Sequence, residues 1–236
     1  MDIKIIATGS AKRERFIKRW GVSFLIGDLL FDTFGRPDVL FSNMRKMKID
    51  PADIRHIVIS HDHWDHVAGL WPLLSLNNRV KVYVCPGFDD SFKDRVRAAG
   101  AELVESGHFL EIKKDLFTTG EIHGLYAGTQ IYEQALVCRS QKGIVIITGC
   151  AHPGIVEIVK YVKKYFEQPV NLLIGGFHLK DTPVSRVKDI VEEIKNLGVD
   201  RIAPMHCTGR RAERLLKAAF KGNFLSVKEK RKYIIE

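Results

Sequence analysis

Short apolar runs rich in β-branched residues alternate along this chain with stretches whose apolar positions recur at helical spacing. Ile3 to Ala7, Val22 to Ile26, Leu29 to Phe31, His56 to Ser60, Val80 to Val84, Ala135 to Cys138, Ile144 to Thr148, Asn171 to Ile174 and Arg201 to Ala203 read as strands. Gly27-Asp28, between the second and third, reads as a hairpin turn. The helices are clearest in the second half. Ile155, Val156, Ile158, Val159, Val162 and Phe166 share one helical face, and Val184, Val187, Ile190, Val191, Ile194 and Leu197 share another. Leu215, Leu216, Ala219 and Phe220 continue the pattern in a last helix, and weaker helices fall near 38–47, 69–76 and 89–99. No linker, low-complexity stretch or short repeat interrupts the pattern. The expectation is one mixed α/β domain spanning residues 1–236, long enough to bury its own core.

Chemistry enters with the histidines. The strand His56–Ser60 runs straight into His61-Asp62-His63-Trp64-Asp65-His66. Three later strands end in Gly149-Cys150-Ala151-His152, Gly175-Gly176-Phe177-His178 and Pro204-Met205-His206-Cys207. Four strands thus deliver histidine just past their C-terminal ends, the edge at which α/β sheets bind ligands. If these strands are neighbours in one sheet, the histidines converge. His61 and His63 are two residues apart, so an extended or turning backbone can aim both at one ion, while Asp65 and His66 can serve a second. Imidazole and carboxylate are ligands for zinc, manganese or iron.

The first run resembles the signature of the metallo-β-lactamase superfamily. Leu29-Leu30-Phe31-Asp32-Thr33 resembles that superfamily's early strand, whose terminal aspartate orients a metal-binding histidine; here Phe34 intervenes before Gly35. Thr148 to Gly154, Ile174 to Leu179 and Pro204 to Gly209 are similar to one branch, the 7,8-dihydropterin-6-methyl-4-(β-D-ribofuranosyl)aminobenzene-5′-phosphate synthase-like proteins. The resemblance runs from about Val22 to Phe220. It implies a four-layer αβ/βα sandwich and two divalent metal ions, zinc favoured, with manganese or iron as alternatives. The implied ligands are His61, His63, Asp65, His66, His152 and His206, with Cys150 where many members have a bridging aspartate and Asp32 behind the ligands. A thiolate there favours zinc; the alternative is a small buried apolar Cys150. Asp65 is expected to hold the second ion and orient the attacking hydroxide, and His178 to contact substrate or transfer a proton. His123 rivals His152 as the third-motif ligand. His56 and His108 read as structural or exposed. Arg210 and Arg211, opening the last helix, are candidates to hold an anion.

Composition narrows the substrate. A formal net charge of +9 favours an anionic partner, such as a phosphorylated small molecule or, less favoured on other grounds, a nucleic acid. The basic residues cluster at Lys12-Arg13-Glu14-Arg15 with Lys18-Arg19, which could line a site, and at Lys228-Glu229-Lys230-Arg231-Lys232, which reads as a solvated tail. Cys85, Cys138, Cys150 and Cys207 lie far apart, so neither a zinc knuckle nor a disulfide scaffold is expected. No apolar stretch reaches membrane-spanning length, and the start Met1-Asp2-Ile3-Lys4 lacks a signal-peptide layout, so a cytoplasmic enzyme is expected. The expected activity is hydrolysis or transfer on a phosphorylated, pterin- or nucleotide-like small molecule. The rivals are an RNA-processing nuclease or phosphodiesterase of the same fold, faintly suggested by Ala7-Thr8-Gly9-Ser10, and a metal-binding module without turnover.

Overall fold

The computed structural model describes residues 2–9 and 19–234. The basic run Lys12–Arg15 and Lys18 lie outside the described residues; Arg19 is described, and its guanidinium lies 3.5 Å from Glu229 at the surface.

Two mixed sheets carry the chain. The first contains β1 (Asp2–Thr8), β2 (Val22–Ile26), β3 (Leu29–Phe31), β4 (His56–Val58), β5 (Lys81–Val84), β6 (Glu102–Glu105) and, returning from the far end of the chain, β15 (Arg231–Ile234). Their spatial order is β15-β1-β2-β3-β4-β5-β6, parallel from β3 onward. The second contains β7 (Leu110–Lys113), β8 (Leu116–Thr118), β11 (Leu136–Ser140), β12 (Gly143–Thr148), β13 (Val170–Gly176) and β14 (Val199–Met205), in the order β14-β13-β12-β11-β8-β7. Between β8 and β11 in sequence stands a separate hairpin, β9 (Ile122–Tyr126) and β10 (Thr129–Glu133).

Alternation along β12 shows why the layers form. Ile144 and Ile146 point outward into a core shared with α5 (Ile155–Tyr165), α6 (Val184–Asn196) and α7 (Arg210–Phe220). Val145 and Ile147 point inward to meet Phe24, Phe31 and Val58 of the first sheet. The first sheet does the same with its other face: Leu25, Leu30, Ile57 and Val82 pack under α1 (Pro37–Lys46), α3 (Leu70–Leu76) and α4 (Asp90–Ala98). Helices, sheet, sheet and helices make the four-layer αβ/βα sandwich expected. Among the described residues, no helix is long and apolar enough to cross a membrane.

Three expectations need correcting. The histidine-bearing strands do not share one sheet: β4 lies in the first, and β12, β13 and β14 lie in the second. Their C-terminal ends meet across the gap between the sheets. Buried Gln134 ties the two together, its amide nitrogen donating to the carbonyls of Ile59 (2.8 Å) and Tyr83 (3.1 Å). The run near Lys228–Lys232 is no solvated tail, because β15 pairs antiparallel with β1, opposing Lys232 to Lys4 and bringing its Nζ 2.6 Å from Asp2. The strands β6 to β10 have no counterpart in the hydrophobic pattern. Most of their residues are partly or fully exposed, which leaves no clean period to read.

The sheets come closest just past β12. A Cβ on Gly149 would lie 2.1 Å from Ser60 Oγ and 3.0 Å from Asp32 Oδ2. Gly149→Ala is therefore expected to destabilise the protein by about 1–3 kcal/mol, through displacement of Ser60 and Asp32. A denaturant titration with an unchanged midpoint would contradict this packing.

Candidate metal centre

Beyond β4 the chain stays extended to His63, which caps the one-turn helix α2 (Trp64–Val67) with φ −64° and ψ 144°. His61 and His63 therefore project from extended backbone and Asp65 and His66 from a helical turn. The second sheet adds His152 after β12 and His206 after β14. The donors fall into two sets. The rings of His61, His63 and His152 stand nearly perpendicular to one another, with centroids 4.7 Å (His61–His63), 4.7 Å (His61–His152) and 5.0 Å (His63–His152) apart. In the other set Asp65 Oδ2 lies 3.2 Å from His66 Nε2 and 3.3 Å from His206 Nε2. Cys150 Sγ lies 3.4 and 3.2 Å from the same two nitrogens. Cys150 also groups with His61 and His152, so its sulfur belongs to both sets.

Protein contacts fix which nitrogen His61, His66 and His152 present. The Ser60 hydroxyl donates to Asp32 Oδ2 (2.7 Å), so its oxygen accepts from His61 Nδ1 (2.9 Å). His152 Nδ1 donates to Glu133 Oε2 (2.8 Å). This leaves His61 Nε2 and His152 Nε2 as buried lone pairs without a hydrogen-bond partner. An unsatisfied buried polar atom costs about 1–3 kcal/mol, and a divalent ion satisfies both atoms. The residues present thus fit a metal. His66 Nδ1 donates to Asp32 Oδ2 at 2.6 Å, the orienting contact expected of that aspartate. His206 differs: its Nδ1 accepts from the Gly21 N–H (3.2 Å), and its Nε2 faces Asp65.

The electrostatics divide along the same line. Burial, reinforced by the neighbouring rings of His66, His152 and His63, holds His61 well below its ordinary pKa. Burial and His152 lower His63. Both are neutral imidazoles, the form that ligates. Burial also opposes a charged His66, but Asp65 and Asp32 outweigh it and raise its pKa well above the ordinary value. Burial would raise Asp65; His66 and His206 overcome it and hold that carboxyl far below the usual range. Two carboxylates therefore demand a positive charge beside Asp65. A proton on His66 supplies it, and a cation would supply it equally.

Glu133 is the residue that sequence reasoning missed. It ends β10, is 1% exposed, and accepts from the backbone N–H groups of Cys150 (2.9 Å), Ala151 (2.7 Å) and His152 (2.8 Å) besides the His152 ring. Burial works against its charge, but these contacts bring its pKa down to about 2. The only hint in the sequence is a carboxylate two residues before the apolar run Ala135–Cys138. The backbone around it is strained: Asp32, Phe34, Ala151, His178 and His206 all have φ between 50° and 63°, rarely adopted by side-chain-bearing residues.

The centre floors a cavity of about 740 Å³. His178 lines it, its ring 4.5 Å from that of His152, and its backbone N–H points to Cys207 Sγ (3.3 Å). His123 stays out of the cluster: it is exposed on β9, 3.1 Å from Glu121 and 3.0 Å from Gln130. Arg210 and Arg211 are exposed on α7 and do not line the cavity, where the lysine or arginine among the described residues is Lys180. His56 is half-buried against the Tyr83 hydroxyl (3.1 Å). Because Glu133 aims His152, Glu133→Gln is expected to weaken metal binding about 10–100-fold. Glu133→Ala, which unpairs a buried network, should cost about 3–5 kcal/mol. Metal titration and denaturant unfolding of the two variants check this.

A family model described as the metallo-beta-lactamase superfamily matches residues 21–206. The chain is 30% identical to the 7,8-dihydropterin-6-methyl-4-(beta-D-ribofuranosyl)-aminobenzene-5'-phosphate synthase of Methanocaldococcus jannaschii, across 89% of this chain and 87% of that protein. It superposes with a TM-score of 0.80 on the crystal structure of Tm1679, a metal-dependent hydrolase of the beta-lactamase superfamily, at 28% identity and over 100% of this chain and 99% of the other. Short-form human tRNase Z has the same fold, with a TM-score of 0.66 at 16% identity over the full length of both chains. The paired donor sets at facing sheet ends are those of an enzyme of metallo-β-lactamase fold, and the chain belongs to the metallo-β-lactamase superfamily.

Proposed function

We propose that this chain is a metal-dependent hydrolase or transferase acting on a phosphorylated small molecule, pterin- or nucleotide-like, at a binuclear centre. The observation that carries the reading is the sharing of Cys150 by two adjoining donor sets, with the bare Nε2 atoms of His61 and His152 turned into them. Residues His61, His63 and His152 would hold one ion and Asp65, His66 and His206 the other, with the Cys150 thiolate between. Zinc suits that sulfur best; manganese or iron suits the remaining nitrogen and carboxylate donors. Divalent ions held there supply Lewis acidity, stabilising negative charge that develops on phosphoryl or carbonyl oxygens. The relative from Methanocaldococcus jannaschii, named as a synthase of a pterin-bearing phosphate, supports a phosphorylated substrate.

The chain's own residues supply the rest. Asp65, fixed by α2 and held ionised, orients the nucleophile at the floor. Lys180, on the cavity wall, attracts the substrate's phosphate. His178 has its pKa raised, chiefly by its contact with Cys207, so its ring N–H is available to protonate the leaving-group oxygen. A cavity of about 740 Å³ matches a small molecule, which favours this reading over an RNA-processing one.

Metal content measured beside turnover of phosphomonoester, phosphodiester and pre-tRNA substrates tests the proposal. The expected result is bound metal with turnover of the small phosphorylated substrates. His61→Ala is expected to lose both metal and turnover, and retention of both would refute the assignment. His178→Ala is expected to keep its metal while kcat falls about 10²–10⁴-fold; an unchanged kcat would remove His178 from proton transfer.

A further inference from the structure

The cavity wall carries aromatic surface that the protein leaves wet. Trp64 is 52% exposed and Tyr126 is 46% exposed, and both line the cavity above the donors. Large apolar side chains normally bury 150–250 Å² each, about as much as a core or interface position offers. Half-exposed rings lining a concave site are surface kept for a ligand.

Both rings are positioned. Trp64 follows His63 directly and is the first residue of α2. Its indole lies against Gly35, where a Cβ would come within 2.6 Å of the ring. Tyr126 stands edge-on to the imidazoles, its ring 4.7 Å from His63, 5.2 Å from His152 and 5.7 Å from His178. The hairpin that carries it is docked at two points by close approach. A Cβ on Gly124 would lie 2.7 Å from Pro153 N, and one on Gly87 would lie 2.5 Å from the Tyr132 ring. Lys180 is held separately, its Nζ 5.5 Å above the Trp20 ring on the wall of the same cavity. The wall therefore pairs two wet aromatic faces with one cation.

On the reading proposed above, we infer that Trp64 and Tyr126 select a planar aromatic ring in the substrate, while Lys180 takes its anionic group whatever that group is attached to. The wall would favour aryl and fused-heteroaromatic anions over alkyl or bare sugar phosphates of the same charge. The preference follows from the flat, polarisable face that a π-ring offers to another.

Calorimetric titration of the metal-loaded protein with phenylphosphonate and cyclohexylphosphonate tests it. The two probes share charge and size, and their carbon–phosphorus bonds resist hydrolysis. Phenylphosphonate should bind about fivefold tighter or more. Trp64→Leu and Tyr126→Leu should each move that ratio toward one, and both sites are exposed enough for the fold to survive, which a melting curve verifies. Lys180→Gln should weaken both probes alike and leave the ratio intact. A ratio near one in the parent protein, a ratio untouched by both leucine variants, or no binding of either probe overturns the inference. A persistent ratio without turnover of any phosphorylated substrate would sink the proposed reaction but not the wall. Turnover with a ratio of one would do the reverse.

Discussion

An imidazole that is to ligate a metal must be gripped at one nitrogen so that the other stays bare. The rest of this site is organised around that grip. Asp32 holds His66 directly and His61 through Ser60, while Glu133 holds His152 by both its ring and its backbone. These two carboxylates come from different sheets of the approach, one at the end of β3 and one at the end of β10. Each is fully buried, at 0% and 1% exposure, where an unpaired charge would be intolerable. Histidines and backbone N–H groups answer both; they bring the pKa of Glu133 down to about 2, while burial still leaves that of Asp32 above the usual carboxylate range. The inner donors and outer carboxylates are thus mutually dependent, and neither layer could be assembled alone.

That dependence explains the strain. A regular strand or helix would carry Asp32, Ala151, His178 and His206 past the point where their contacts can be made. Each instead adopts positive φ at a strand end. Such conformations cost of order 1–3 kcal/mol each and persist where the surrounding contacts over-determine them. Gly149 plays the opposite part, leaving empty the volume in which Ser60 and Asp32 meet the second sheet. The two sheets are fastened at the same level by Gln134, so the edge that carries the chemistry is also where the halves of the sandwich are locked in register.

How far this was legible in the sequence depends on the length scale of each signal. The run His61–His66 and the later histidines mark the donors because each follows a strand with strong β-branched character, and local pattern suffices. The sandwich is legible for the same reason: β12 and β13 are mostly apolar, and the three last helices show a clear face. That the strands belong to two sheets was not readable, since a strand's apolar run is the same whichever sheet it joins. Glu133 was invisible because its role lies wholly in partners 17–19 residues away, and a single glutamate carries no period. Lys180 was not legible either: the cavity wall carries it, whereas the sequence pointed to Arg210 and Arg211, which do not line that cavity. Net charge and proximity to His206 in the chain say nothing about which cation the loop after β13 turns into the cavity.

The floor and the wall of this site are held by different forces, and that separates what each can vary. His61, His66 and His152 and their outer partners are locked between sheets by burial and hydrogen bonds, so a change there propagates through both layers. The aromatic wall hangs on a one-turn helix and a hairpin whose outer faces are wet. Leu125 beside Tyr126 is 70% exposed, and the hairpin reaches the body through Gly124, Tyr132 and the Glu133 end. The outer face of the hairpin and the exposed Trp64 position tolerate substitution because little of the core rests on them. Reaction type should then follow the buried carboxylates and the sulfur of Cys150, and substrate range should follow Trp64 and the hairpin. A fold that hosts many reactions needs that division, since it lets the pocket be recut without disturbing the strained strand ends that hold the donors in place.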